Sequence, residues 1–215
     1  MAASEQKAYE AIRHSILTGA YESGMHLRAA NLADTVGVSR TPVREALRRL
    51  HAEGLVEFFE NRGAFVASWS RDDAEEVFDL RLVLECHAAN RAALRLKPEQ
   101  IERLVELTDQ MERHSVGPER DIAIVTDANN RFHGIIIEAA ANKRLSAIIS
   151  SVVELSLVSR TFSIYSDVAF SRSIAHHREL IEAFCERDAL WAAGVMNNHL
   201  RAAHHVFTAS LRPVS

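Results

Sequence analysis

The nine residues Ser39-Arg40-Thr41-Pro42-Val43-Arg44-Glu45-Ala46-Leu47 constrain the fold of this chain more than any other stretch. Just upstream, Leu32, Ala33 and Val36 place apolar groups at helical spacing, and Gly37 ends that helix. Val38 returns to the core. Ser39 or Thr41 is placed to cap a second helix, with Pro42 in its first turn, where a missing N–H costs little. Val43, Leu47 and Leu50 share one face of that helix, which leaves Arg40, Arg44, Arg48 and Arg49 on or near the other faces. A short helix, a Gly turn and a basic, N-capped second helix describe a helix-turn-helix whose second helix fits the major groove of double-stranded DNA.

An amphipathic helix with a solvated Arg face would share part of this pattern. Two features argue against it. Residues 40–49 hold four Arg against one Glu, a local charge of +3 in a chain whose net charge is −4. A hairpin comes immediately after: Glu57-Phe58-Phe59 and Ala64-Phe65-Val66 flank Glu60-Asn61-Arg62-Gly63, which has turn chemistry. With Arg62 at its tip, that hairpin is a wing suited to the adjacent minor groove or backbone. Residues 1–67 hold eight Lys/Arg and eight acids, whereas residues 68–215 hold 17 and 21. Basic character is therefore confined to the recognition segment, as site-specific binding requires.

Eight Gly and four Pro in 215 residues point to a mainly helical chain with few loops. Cys86 and Cys185 are too few for a disulfide framework and read as reduced thiols. Met1 to Lys7 lacks an apolar signal core, and no stretch approaches a membrane span, so a cytoplasmic protein with no membrane partner is expected. The polar joint Ser68-Trp69-Ser70-Arg71-Asp72, with Asp72 able to cap the next helix, divides a winged helix-turn-helix domain over 1–70 from an all-α domain over 71–215.

Periodicity in the second domain predicts six helices in an antiparallel bundle. The first shows Val77, Leu80, Leu84 and Ala88 on one face, and the second starts at Lys97-Pro98. The third carries Val125, Asn129, Phe132, His133 and Ile136. The fourth runs from Leu145 to Phe162, the fifth from Ile174 to Glu186 and the sixth from Ala189 to Ala209. Asn129 and His133, four apart, share an inward face. His177 lies between Ile174 and Leu180, and His199 between Val195 and Ala202, each on a buried face. A buried imidazole needs a partner. Hydrogen bonding within the core would supply one, and so would convergence of three imidazoles and a short oxygen side chain on one divalent metal. Ser151, Ser156 and Ser159 show no base and acid arrangement, so no nucleophile signature is visible.

Leu32-Ala33, Gly37 to Leu47, Leu50, Glu53-Gly54-Leu55-Val56 and Gly63-Ala64-Phe65-Val66 together resemble the DNA-binding domain of GntR-family bacterial transcription regulators. The second domain resembles the helical FCD effector domain of FadR-type members. The matching residues are Arg81-Leu82-Val83-Leu84-Glu85, Asn129 to His133, Ala140-Ala141-Asn142, His177 to Phe184, Arg187-Asp188 and Met196 to Leu200. A count of six helices suggests the shorter, VanR-like branch. The resemblance implies that Arg40 and Arg44 read bases, that Thr41 and nearby residues hold phosphates, and that Gly63 at the wing tip touches the minor groove. It further implies a zinc- or nickel-like metal on Asn129, His133, His177 and His199, and a small organic acid as effector. Arg81 and Arg160 are placed to fork onto such an acid, or to form salt bridges instead. Two departures show: Ala29-Ala30, where an acid followed by a basic or polar residue is usual, and Asn129, where Asp is more usual. The resulting expectation is a homodimeric repressor whose hold on operator DNA is relieved by ligand. A metal-responsive regulator and a metal-dependent enzyme with a DNA-targeting head are the alternatives.

Overall fold

The computed structural model describes residues 2–52, 55–68, 70–117, 120–153 and 155–210. Glu53, Gly54, Trp69 and Pro118 lie outside them. The chain divides into two compact units, Met1–Trp69 with Glu154–Ser163, and Ser70–Val153 with Ile164–Ser215.

In the first unit, α1 (Ala2–Leu17) packs on α3 (Arg40–Ala52), and α2 (Ala29–Val36) packs on both. Gly37 caps α2 in the left-handed region (φ 72°), with its N–H on Ala33 O, and turns the chain into α3. A side chain there would be strained, which is why a glycine stands at this turn. Ile12, Val43, Ala46, Leu47 and Leu50 are buried and form the seam. Strands β1 (Val56–Phe59) and β2 (Gly63–Val66) pair antiparallel with Phe59 opposite Gly63. Asn61 (φ 58°) makes the turn, and Arg62 N donates to Phe59 O. His26 bridges to Phe65 as a one-residue third strand.

The second unit holds α4 (Arg71–Ala93), α5 (Pro98–Ser115), α6 (Ile122–Ala139), α7 (Lys143–Val152), α9 (Asp167–Cys185) and α10 (Ala189–Ser210). Helix α4 lies along α10, α5 pairs with α6 and α9, and α10 also pairs with α9. Phe78, Leu104, Met111, Phe132, Phe170, Phe184 and Phe207 fill the core. Ser70, not Asp72, caps α4: its Oγ accepts from Asp73 N while Asp73 accepts from Ser70 N, a reciprocal capping box.

Two helical expectations are corrected. The expected fourth helix is two helices, α7 and α8 (Leu155–Ser163), so seven helices lie beyond the wing among the described residues, and the helix count no longer points to a shorter branch. Val153 adopts an extended conformation (ψ 104°) after Val152, and consecutive β-branched residues are poor at sustaining a helix. Ser151 Oγ also bonds back to Ile148 O there. Helix α8 groups with the first unit, where it meets α1 and buries Leu157, Val158 and Phe162. On α4, the buried face is Ala74, Phe78, Arg81, Glu85 and Ala88. Leu80 is instead 49% exposed and Val83 70%. The helix has apolar residues on two sides, and the side that the core takes carries an ion pair that satisfies itself. No single helix among the described residues is long and apolar enough to cross a membrane.

Candidate DNA-reading head and metal centre

On α3, Arg40, Thr41 and Arg44 are exposed, and neither arginine makes an ion pair among the described residues. Arg48 is exposed and bonds to Glu45 (2.7 Å), a surface pair that costs little to break. Arg49 is different. It donates to Gln6 Oε1 at 3.0 Å, and its guanidinium sits 3.7 Å from the centre of the Tyr9 ring. Arg49, also expected on DNA, thus links α3 to α1. Arg62 lies over Phe59 (5.6 Å) and Phe65 (5.4 Å) at the wing tip, and His26 stacks on Phe65 (4.5 Å). Aromatic faces hold a guanidinium cation without removing its donors, so Arg62 is preorganised rather than neutralised. A Cβ on Gly63 would meet His26 Nε2 at 3.1 Å, so the tip is also closely backed.

In the second unit, ring nitrogens of His133, His177 and His199 all lie within 4.8 Å of one another. They come from α6, α9 and α10 and are all buried. His133 Nδ1 stands 2.7 Å from Glu85 Oε2, and His177 Nδ1 stands 2.7 Å from Ser173 O. Both neighbours are acceptors only, so each Nδ1 carries the proton and each Nε2 keeps its lone pair. Among the described residues neither Nε2 has a hydrogen-bond partner, and the same is true of His199 Nδ1 and Asn129 Oδ1. Four buried polar atoms from four side chains therefore lack a partner among the described residues, a costly state that a cation relieves where each presents a lone pair. The residues fit a divalent metal.

Electrostatics agree. Burial pushes the His177 imidazole down to about 3, and nearby His133 adds to the effect. Burial, His177 and His133 hold His199 well below its usual range, so both are neutral and ready to ligate. Burial alone would raise Glu85, but the Arg81 guanidinium and the hydrogen bonds with Arg81 and His133 bring it down to about 2. Arg81 Nε donates to Glu85 Oε1 at 2.6 Å, and the pair is buried. Arg81 is therefore an internal residue whose charge reaches His199. Arg160 belongs to the first unit, where its Nη1 donates to Ser23 Oγ.

Residues 4–66 match the bacterial regulatory proteins of the gntR family, and residues 76–202 match the FCD domain. A transcriptional regulator of Agrobacterium vitis is 35% identical over 135 residues, 62% of this chain and 79% of that protein. The chain belongs to the GntR family of bacterial transcription regulators. This GntR regulator is also similar to the gluconate operon transcriptional repressor of Bacillus subtilis, at 29% identity over 84% of this chain and 75% of that one. A solved structure of a GntR-type regulator from Rhodococcus sp. RHA1 shares its fold, with a TM-score of 0.70, 23% identity, and coverage of 98% and 100%. Two contributors to the GntR regulator's histidine cluster went unassigned in its sequence. Glu85 stands four residues after Arg81, the spacing of a helical ion pair, and Ser173 stands four before His177. The His176 ring lies 5.9 Å from that of His199. With Tyr165, Arg172 and Ser173 it lines a cleft of about 10 Å³.

Proposed function

We propose that this regulator is a homodimeric repressor that acts in the cytoplasm and releases its operator when a small organic acid binds a metal centre in the FCD domain. Asn129, His133, His177 and His199 hold a zinc- or nickel-like ion. The four buried polar atoms that lack a partner among the described residues carry this reading. None of the four residues is a carboxylate, so the ion's charge is left for an anion to meet. Arg81, buried beside the cluster, is the residue to receive a carboxylate. Similarity to a repressor of a gluconate operon supports both the sign of regulation and an acid as effector. The chain acts by binding rather than turnover: Glu85, the carboxylate at the cluster, already accepts from Arg81 and His133 and serves to position rather than to take a proton. Arg40, Thr41, Arg44, Arg48, Arg62 and Gly63 meet the operator. Leu80 and Val83, exposed on α4, give a second copy an apolar face to cover.

Selection of genomic fragments by the purified, metal-loaded protein tests the reading. Recovery of an inverted-repeat site near a promoter, lost on adding one member of a panel of sugar acids and other small carboxylates, is the expected result. Retention indifferent to every acid but lost with chelator would make the metal itself the signal. Retention of random fragments alone would overturn the reading.

A further inference from the structure

Buried threonines in this chain bond back to their own helices. Thr108 donates to Leu104 O (2.9 Å), Thr161 to Leu157 O (2.6 Å) and Thr208 to His204 O (2.9 Å). Thr126 on α6 does not. It is 2% exposed, and its Oγ1 has no hydrogen-bond partner among the described residues. The hydroxyl has forgone the bond that its helix offers, so it is turned toward something else.

Thr126 precedes Asn129 by three residues and His133 by seven, which puts all three on one face of α6 at successive turns. Side chains lean toward the N-terminus of their helix, so Asn129 and His133 reach back toward the level of Thr126. The unpartnered atoms of Asn129 and His133 are acceptors, and a cation satisfies them. A hydroxyl also has a proton to give, and a cation cannot take it. An acceptor must therefore stand between Thr126 and the metal. No carboxylate is among the ion's four proposed ligands and Glu85 is occupied, so an anionic acceptor is the favoured one.

We propose that Thr126 belongs to the effector site, its hydroxyl donating to one oxygen of a small carboxylate whose other oxygen meets the metal. This rests on the metal centre proposed for Asn129 and the three histidines. It makes Thr126 a selector for ligands that carry two oxygens on one carbon, and separates it from Asn129 and the histidines, which hold the ion itself.

The test uses the full-length chain loaded with cobalt(II) and titrated with acetate, followed by the visible spectrum of the ion. In the wild type, acetate alters the spectrum. Thr126→Val keeps the side-chain shape, and it weakens acetate by about tenfold, about 1.4 kcal/mol. Its cobalt affinity, from chelator competition, stays unchanged. Thr126→Ser restores acetate binding, and Thr126→Ala gives the same reading as Thr126→Val should the latter fail to fold. Equal acetate affinity in wild type and Thr126→Val would mean that the hydroxyl serves a water, and would overturn the assignment while leaving the metal reading intact. Parallel loss of cobalt and acetate would assign Thr126 to support of the ion's ligands and overturn it too. A wild type that binds no cobalt would remove the metal reading and this proposal together.

Discussion

His133 Nδ1 and Glu85 Oε2 stand 2.7 Å apart, tying α6 to α4 across 48 residues of chain. The same carboxylate receives Arg81 at 2.6 Å. One buried acid thus neutralises a guanidinium and fixes which nitrogen of a histidine faces the cluster.

Removing that acid should do two separable things. Glu85→Ala leaves Arg81 buried and unpaired, and should destabilise the metal-free protein by about 3–5 kcal/mol in urea unfolding. It should also weaken metal by about 10–100-fold, because His133 loses the partner that orients it. A stability loss under about 1 kcal/mol would show that Arg81 finds water instead.

Acid should weaken the metal-free fold through the histidines. Burial holds His177 at about 3 against an ordinary 6.5, so the folded state refuses a proton that the unfolded chain accepts. Above pH 6.5 neither state is protonated, and the group adds no pH dependence. Below it, each unit of pH removes about 1.4 kcal/mol, roughly 2 kcal/mol by pH 5. His199, held low mainly by burial, acts in the same direction. Glu85 contributes stability above its ordinary 4.5, which is lost only as pH falls from there toward about 2. Melting temperatures should be level from pH 8 to 7 and fall between pH 6.5 and 5. A level curve down to pH 5 contradicts the burial of neutral imidazoles.

His133→Ala and His199→Ala should each lower bound metal, read by elemental analysis after mild chelation, while operator affinity without effector stays as in the wild type. The two residues sit in the second unit, and the reading head is built from the first. If either variant instead lost its helical circular dichroism, these histidines would be holding the core rather than an ion.

Arg44 and Arg49, five residues apart on one helix, should part company. Arg44→Ala should cost about 1–3 kcal/mol of operator affinity, with less loss on random DNA, if its fork reads a guanine. Arg49→Ala removes the contact with Tyr9 and should cost about 0.5–1 kcal/mol of folding stability. Gel-shift titration and thermal melting of both variants decide it, and equal effects of the two on DNA would refute the division.

The reading head was legible because its signals are local. Gly37, Pro42 and the Asn61-Arg62-Gly63 turn act through backbone conformations that need no distant partner. The spacing of Asn129 and His133 was legible for the same reason, and His177 and His199 could be placed on buried faces of their own helices. That the three histidines meet is a tertiary fact, which resemblance supplied. The Tyr9 contact of Arg49 was not legible, because a basic residue on a recognition helix looks the same whether it faces DNA or the ring of an aromatic residue on another helix. The face of α4 misled because the core took Arg81 and Glu85 in preference to Leu80, a choice that the paired charges and His133 make favourable. Helix α8 was hidden because apolar periodicity continues through Val152-Val153 although the backbone does not.

The detour of α8 bears on how freely such regulators can exchange parts. Its nine residues, Leu155–Ser163, lie inside the stretch that matches the FCD domain yet fold with the N-terminal unit. A fragment ending at the joint near Ser70 would lack Leu157, Val158 and Phe162, all buried in the intact chain. A reading head transplanted by a single splice at that joint inherits whatever α8 its new host supplies, including whether an arginine is there for Ser23. Chimaeras of this kind should work best when the splice carries α8 along with the head, so that the unit of inheritance is a discontinuous piece of sequence rather than the first seventy residues.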